Sequence, residues 1–528
     1  VLRGRDLPRR AVHVSGPGAT DVPELGQTDS RTVMRGSGWG LLLAIVPQLQ
    51  TLLISVAAAR LLGAADFGRQ SFIAFISVAC VSVFAARVPA ALARFGAELL
   101  GAHEGGKVLT LLRWTWRAQL LSGGVAAVGF VAAAWFGAEP SSGWVLAGLC
   151  TWVAAIQAAP SAFLVAAQRW RDSALPGLLT TLGSVVAVVA VLALGGGITG
   201  YFAVELAVVC VNLVWTQRLA ARLRAELPEP APIEPQRRQE LRRFMQASTF
   251  FAVIQFVVLS RSEVVFLSHY SGPVQVGYYS VAFAAATAAA RVPAMITSVA
   301  MPAVASLHGA GEHDRIRSGF WRATRLLVAL CPTLVVAAAV LGTDLLGIVY
   351  GDEFHDAEPV LLILLAPSIL LPIAGMADAV LWILGRIRFL VTWGTIAALV
   401  NIGLAFVLIP MLDAIGAGIV NVVAQLVAGV PVLWLAARIL APAGVPPWLL
   451  RNSLLTAVGS GIAALIPMLV LGGVAGLVCG AALLALTLWF AATRLPLLAA
   501  EDGAWLTGAV SDRAEVAAVL RRTTRAAS

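Results

Sequence analysis

Charge is what this chain has least of. Only 12% of its 528 residues are charged, against about 25% in a soluble globular chain. Hydrophobic residues make up 59%. That balance excludes a large soluble domain and leaves a polytopic membrane protein. Cysteine is scarce too: Cys80, Cys150, Cys210, Cys331 and Cys479 all fall in apolar stretches, with no CxxC. No metal or disulfide framework is expected, and each reads as a small packing residue. Lysine is nearly missing, since Lys107 is the only one among 37 basic residues; such a bias speaks of codons rather than function. No apolar h-region precedes the first long apolar stretch. Residues 1–35 carry Pro, Gly, Ser and six arginines without periodicity, and are expected to form a disordered, basic cytoplasmic tail. The chain opens on Val1, so an unusual start codon and a start further along, as at Met34, both fit.

What is present is a series of apolar runs. A membrane helix needs about 20 apolar residues, and fourteen such spans are read: 38–59, 71–92, 116–136, 144–166, 174–194, 199–219, 244–267, 278–303, 323–342, 357–382, 389–409, 415–437, 453–471 and 474–493. The loops after even-numbered spans hold Arg94, Lys107, Arg113, Arg169, Arg171, the arginine-rich stretch 218–243, Arg315, Arg317, Arg322, Arg386, Arg388, Arg438 and Arg451. The loops after odd-numbered spans hold Arg60 and Arg69, and 343–356 is acidic. The positive-inside rule then puts both termini in the cytoplasm, which requires an even number of spans.

The chain also repeats itself. RLLGAADFGRQSFIAF (60–75) resembles HYSGPVQVGYYSVAF (269–283), aligning Gly63 with Gly272, Gly68 with Gly277 and Ser71 with Ser280 at an offset of 209. Lys107 and Arg117 fall 208 residues before Arg315 and Arg325, and QRWRD (168–172) resembles GRIRF 217 residues on. Each repeated piece holds the same place in a six-span set. Two parallel repeats about an axis along the membrane normal follow. The expected organisation is a 36–219 lobe (helices 1–6), a cytoplasmic linker 220–243, a 244–440 lobe (helices 7–12), helices 13–14 over 441–494, and a cytoplasmic tail 495–528. ARVPA occurs at both 86–90 and 290–294, a match that an Ala-rich chain yields by chance.

Charges inside spans are costly, by about 3 kcal/mol on insertion scales, and so point to a cavity, a partner or a substrate. Arg261 and Glu263 close to the end of span 7, Arg291 in span 8 and Arg87 in span 2 are such charges. Two residues apart on a helix, Arg261 and Glu263 point to nearly opposite sides and cannot form a simple pair. Glu205 and Asp378 are the other acids inside spans. GAHEGGKV (101–108) mimics a nucleotide loop but has Val108 where Ser or Thr should meet magnesium, and no strand precedes it. No nucleotide or other cofactor is expected. KVLTLLRWTWRAQ (107–119) and DRIRSGFWRATR (314–325) interleave arginine with aromatics, as chains do on entering a bilayer; nucleic acid is not expected. Gly472, Gly476 and Gly480 permit close helix packing, within the chain more often than between protomers.

With these residues in view, the chain resembles the polysaccharide (Wzx-type O-antigen and teichoic-acid) flippases of the multidrug/oligosaccharidyl-lipid/polysaccharide exporter superfamily. The likeness rests on RLLGAADFGRQS, on RSEVVFL with GPVQVGYYSVAF, on MPAVASLHGAGEHDRIR, on IVYGDEFHDAEPVLLILLAP and on GRIRFL, across about 36–440. It implies an all-α protein of about fourteen helices, with two pseudo-symmetric six-helix lobes and two extra C-terminal helices. Helices 1, 2, 7 and 8 would line a central cavity. It further implies a bacterial plasma-membrane exporter, not an enzyme, that moves a polyprenyl-pyrophosphate-linked oligosaccharide by alternating access beside other polysaccharide-assembly membrane proteins. On that reading Arg87, Arg261 and Arg291 meet the pyrophosphate, which guanidinium groups bind as planar forks. Glu263, Glu205 and Asp378 couple an ion or brace the lobes. The alternatives are a lipid II-type flippase, a MATE-like small-molecule exporter, which would favour acids in its cavity, and a membrane polymerase or glycosyltransferase. The last has its best acids at Asp352 and Glu353.

Overall fold

The computed structural model describes the backbone of residues 30–85, 87–298, 300–441, 444–497 and 502, and the side chains of most of them. No strand occurs among the described residues. The helices are α1 (Ser30–Cys80), α2 (Arg87–Gly101), α3 (Gly105–Trp135), α4 (Ser141–Ala166), α5 (Trp170–Ala193), α6 (Gly197–Ala225), α7 (Pro235–Leu259), α8 (Glu263–Tyr270) and α9 (Pro273–Ala289). There follow α10 (Arg291–Ser298), α11 (Ala300–Gly309), α12 (His313–Tyr350), α13 (Glu358–Leu365), α14 (Leu371–Ile383), α15 (Ile387–Ile439), α16 (Pro447–Leu471) and α17 (Gly473–Arg494).

Nine helices among the described residues are long and apolar enough to cross a membrane, and a bent pair, Asp352–Ile369 with Leu371–Ile383, supplies a tenth crossing. Two of the nine, Leu49–Gly101 and Ile387–Ile439, run for 53 residues, about 80 Å of helix against a hydrocarbon core of about 30 Å. Each contains a non-helical residue, Gly63 of α1 in the first and Asp413 of α15 in the second. At the second break the chain folds back, since a β-carbon on Gly416 would lie 2.3 Å from the Leu408 carbonyl oxygen. Counting α1 and α15 as two crossings each, and α7–α8 and α9–α11 as one broken crossing each, is consistent with fourteen.

Gly63 and Gly272, aligned by the sequence repeat, both take left-handed backbone, with φ of 75° and 84°. Each starts a helical limb, and only glycine enters that region without a Cβ penalty. α10 opens on Arg291 just after the break at Ala290. Pro293 lies in its first turn, where its missing N–H is no loss.

Two span readings are corrected. The single span 244–267 is broken at Ser260–Ser262, where the Ser262 hydroxyl donates to the Val257 carbonyl at 2.9 Å; such local side-chain bonds compete with the helix ladder. The span 278–303 is interrupted at Ala290. The 220–243 linker is mostly helix, leaving 226–234 between α6 and α7, and α7 starts on Pro235, the residue best suited to a first helical position. The described part of α1 runs from Ser30, and residues 1–29, most of the expected tail, lie outside the described residues. The glycines of α17 meet their expectation: Gly476 and Gly480 pack on the backbone of α16.

One face carries the arginine-rich turns and the other the acidic turn before α13. On that second face Arg60 donates to the carbonyls of Ile348 and Val349, the last turn of α12. The Glu353 carboxylate accepts from Ala64 N–H at 3.1 Å, just after the Gly63 break. A cation thus sits on a helix C-terminus and an anion on an N-terminus, the favourable sense of both helix dipoles. Phe67 and Phe354 stack edge to face between them, with centroids 5.9 Å apart. Beneath this contact lies the largest core cluster, built from α1, α9, α13 and α15.

Candidate functional site

The break between α7 and α8 organises the interior. Arg261 lies in the break itself and Glu263 opens α8. They therefore do not share a continuous helix, and their divergence comes from the interruption. Helix rise from the α8–α9 turn puts Arg261 about 15 Å below the face opposite the basic one, near mid-membrane.

Arg261 is half-buried. Its charge is close enough to act on the phenols of Tyr279, on α9, and Tyr201, on α6. Gln70 of α1 bonds the Tyr201 hydroxyl. Among the described residues the guanidinium has no carboxylate partner. A half-buried cation within electrostatic reach of two phenols, with no carboxylate partner among the described residues, is a place for an anion to bind.

Glu263 is fully buried. Asn401 donates to Oε1 at 2.5 Å, Asn421 to the same oxygen at 3.2 Å, and the Tyr279 hydroxyl to Oε2 at 2.9 Å. Gln425 in turn donates to Asn421 Oδ1. Among the described residues no guanidinium or ammonium pairs with this carboxylate. Ionised, it would carry a desolvation cost of several kcal/mol that neutral amides only partly offset. A proton or a small cation answers that cost.

The other sequence candidates lie apart. Arg291 opens α10, half-buried, about 27 Å along α9 and thus near the basic face. Arg87 lies on α2, and its side chain lies outside the described residues. No contact between Arg291 and Arg261 occurs among the described residues. Glu205 lies one turn beyond Tyr201 on α6, half-buried and close enough to act on the Tyr201 phenol. Asp378 lies on α14 and is exposed.

The amide cluster around Glu263 is what sequence reasoning missed. Its signal was Asn401, and Asn421 with Gln425 four residues apart, inside otherwise apolar runs. Polar side chains in membrane helices are costly and tend to find partners across helices. The nucleotide-like loop resolves as a turn between α2 and α3, with Lys107 held by Glu104 and Glu234. Of the acids weighed for an enzyme, Glu353 serves as the cap on α1.

A family model described as polysaccharide biosynthesis protein matches residues 33–308. No curated protein matches the chain in sequence. Among solved structures, the lipid II flippase MurJ in an inward closed conformation aligns with a TM-score of 0.65 at 10% identity, over 86% of this chain and 98% of that one. An inward-facing multidrug resistance MATE family transporter of the MOP superfamily gives 0.61 at 13% identity, over 76% and 98%. The all-α multi-pass membrane fold is therefore the one these transporters share.

Proposed function

The chain belongs to the polysaccharide biosynthesis protein family, and from that premise we propose that it is a flippase for a polyprenyl-pyrophosphate-linked oligosaccharide. The basic face is the cytoplasmic side of a bacterial plasma membrane, and both termini lie there. Residues 36–219 and 244–440 act as two lobes that rock about the mid-membrane site, which stands where the repeats meet. The chemistry is transport, with no covalent step on the sugar.

The observation that carries this reading is Arg261, a mid-membrane guanidinium within electrostatic reach of the Tyr279 and Tyr201 phenols, with no carboxylate of its own among the described residues. It binds the pyrophosphate at mid-crossing. Arg291 and Arg87 receive the same group nearer the cytoplasmic mouth. The sugar occupies the polar space between the lobes while the polyprenyl tail stays in lipid. Glu263 couples a proton or monovalent cation to the cycle, and Glu205 and Asp378 line the path. The likeness to MurJ favours lipid II-type cargo as the second reading, which differs in cargo alone.

The test is export of lipid-linked sugar normalised to membrane abundance. A charge-assisted phosphate contact is worth about 1.5–3 kcal/mol, so Arg261→Ala should lose transport about tenfold or more. Arg261→Lys should recover part, keeping the charge but losing the fork. An abundant Arg261→Ala protein that transports normally removes the pyrophosphate site.

A further inference from the structure

The cleft where α3 and α6 reach the basic face is unused by the transport path. It has a volume of about 670 Å³ and is lined by Arg113, Trp116 and Arg117 of α3, Gln217 and Arg224 of α6, and Glu229 of the connection to α7. That volume lies within the usual range for small-molecule sites. We infer that it holds the headgroup of an anionic glycerophospholipid in the leaflet at the basic face.

The charge pattern is the first argument. Some basic residues nearby have acids: Lys107 pairs with Glu104 and Glu234, Arg169 with Asp172 and Glu226, Arg237 with Glu98 and Glu240. Arg113, Arg117 and Arg224 are exposed and, among the described residues, have no ion pair. Three guanidinium groups thus converge on a cleft with one carboxylate. Like charges gathered without counter-ions repel one another, and an anion seated among them relieves that.

Depth is the second argument. The apolar run of α6 ends at Thr216, and its twenty residues from Gly197 make about one hydrocarbon thickness at 1.5 Å per residue. Gln217 and Arg224 therefore stand at headgroup level, as does Trp116, in keeping with aromatic residues at membrane interfaces. Basic pockets between membrane helices at this depth suit anionic lipid headgroups. Gln217 adds a specific feature: its side-chain oxygen is buried with no partner among the described residues. A glycerol hydroxyl on the headgroup would satisfy it, as neither a bare phosphate ester nor a choline would.

This assignment needs only that the chain spans a bilayer, and it is tested without transport. Full-length protein in neutral detergent is titrated with dioleoylphosphatidylglycerol, dioleoylphosphatidylcholine or inorganic phosphate, reading lipid adducts by native mass spectrometry and the melting temperature. Phosphatidylglycerol should be retained and raise the melting temperature, and the other two should not. Each arginine at the membrane surface is worth about fivefold in affinity. The triple variant Arg113→Gln, Arg117→Gln, Arg224→Gln should bind phosphatidylglycerol on the order of a hundredfold more weakly, with an unchanged lipid-free melting temperature. A triple Arg→Lys variant should keep most of the binding and decides the matter if the Gln variant is poorly folded. Equal response to both lipids, or undiminished binding by the Gln variant, overturns the assignment. Saturation by inorganic phosphate alone also overturns it and gives the cleft to a soluble anion.

Discussion

Gly68 and Gly277 pack on one another so closely that neither has room for a β-carbon. One on Gly68 would lie 1.8 Å from the Pro273 carbonyl oxygen, and one on Gly277 would lie 2.6 Å from that of Ala64. The contact is reciprocal: each glycine meets the carbonyl four residues before the other, and both pairs are 209 residues apart in the chain. A two-fold relation between repeats produces such self-complementary contacts. Side chains that fit across an approximate two-fold must clear the same atoms twice, so both positions are glycine.

This contact predicts asymmetric tolerance to alanine. Gly68→Ala forces backbone apart, and overpacking costs about 1–3 kcal/mol or more. Gly129→Ala meets nothing within 4 Å and should be neutral or slightly stabilising, since alanine is the better helix former. Melting of the two variants in detergent checks it. Equal melting temperatures would mean the repeats are not held by this glycine pair.

Orientation is tested by cysteine labelling in a background without the five native cysteines. Ser141→Cys and Asp352→Cys should react with an impermeant reagent from outside the cell. Glu229→Cys and Ser318→Cys should react after permeabilisation alone. All four native residues are exposed. Reversed accessibility would invert the membrane orientation and with it the direction of transport.

The tie between α3 and the 226–234 connection should respond to acid. Lys107 hydrogen-bonds Glu234 and holds its carboxyl below the ordinary value of 4.5. A carboxyl lowered by folding contributes stability that is present above its unfolded value and is lost as pH falls through the folded one. The stability difference between wild type and Glu234→Gln should therefore be constant near neutrality and vanish below about pH 4.5. The group is exposed, so the difference is expected to be small. A difference that persists unchanged at low pH would rule out the Lys107 contact as its source.

Much of the fold was legible because it follows from solvent. Apolar length gives crossings, and arginine placement separates the two faces, as at Arg94, Arg169 and Arg386. Gly63 and Gly272 were visible as a repeat, and their left-handed backbone explains why glycine recurs there. The breaks were not legible. Ser260–Ser262 sits inside an apolar run, and hydropathy does not sense a serine hydroxyl turning onto a carbonyl. The partners of Glu263 were hidden for another reason: Asn401 and Asn421 are 138 and 158 residues away, and only packing of α8 against α15 brings them together.

Glu263 offers the sharpest test of mechanism. Its carboxylate is fully buried and receives three hydrogen bonds, from Asn401, Asn421 and Tyr279. Glu263→Gln keeps the shape but removes the charge, whereas Glu263→Ala leaves three donors unmatched at about 1–3 kcal/mol each. The alanine variant should therefore fall in abundance whichever role the residue has. The glutamine variant separates the roles. If Glu263 couples a cation, the wild type gains stability as that cation is added, by RT ln(1 + [L]/Kd), and Glu263→Gln does not. Its melting temperature becomes flat from low to high sodium, and its transport no longer follows the ion gradient while abundance stays near wild type. If a proton is the coupling species, sodium leaves the wild type unmoved, and transport by Glu263→Gln loses its dependence on the pH gradient instead. If the residue only braces α8 against α15, Glu263→Gln transports normally and keeps both dependences. That last result would leave the gradient to act elsewhere, with Glu205 and Asp378 the remaining acids inside the spans.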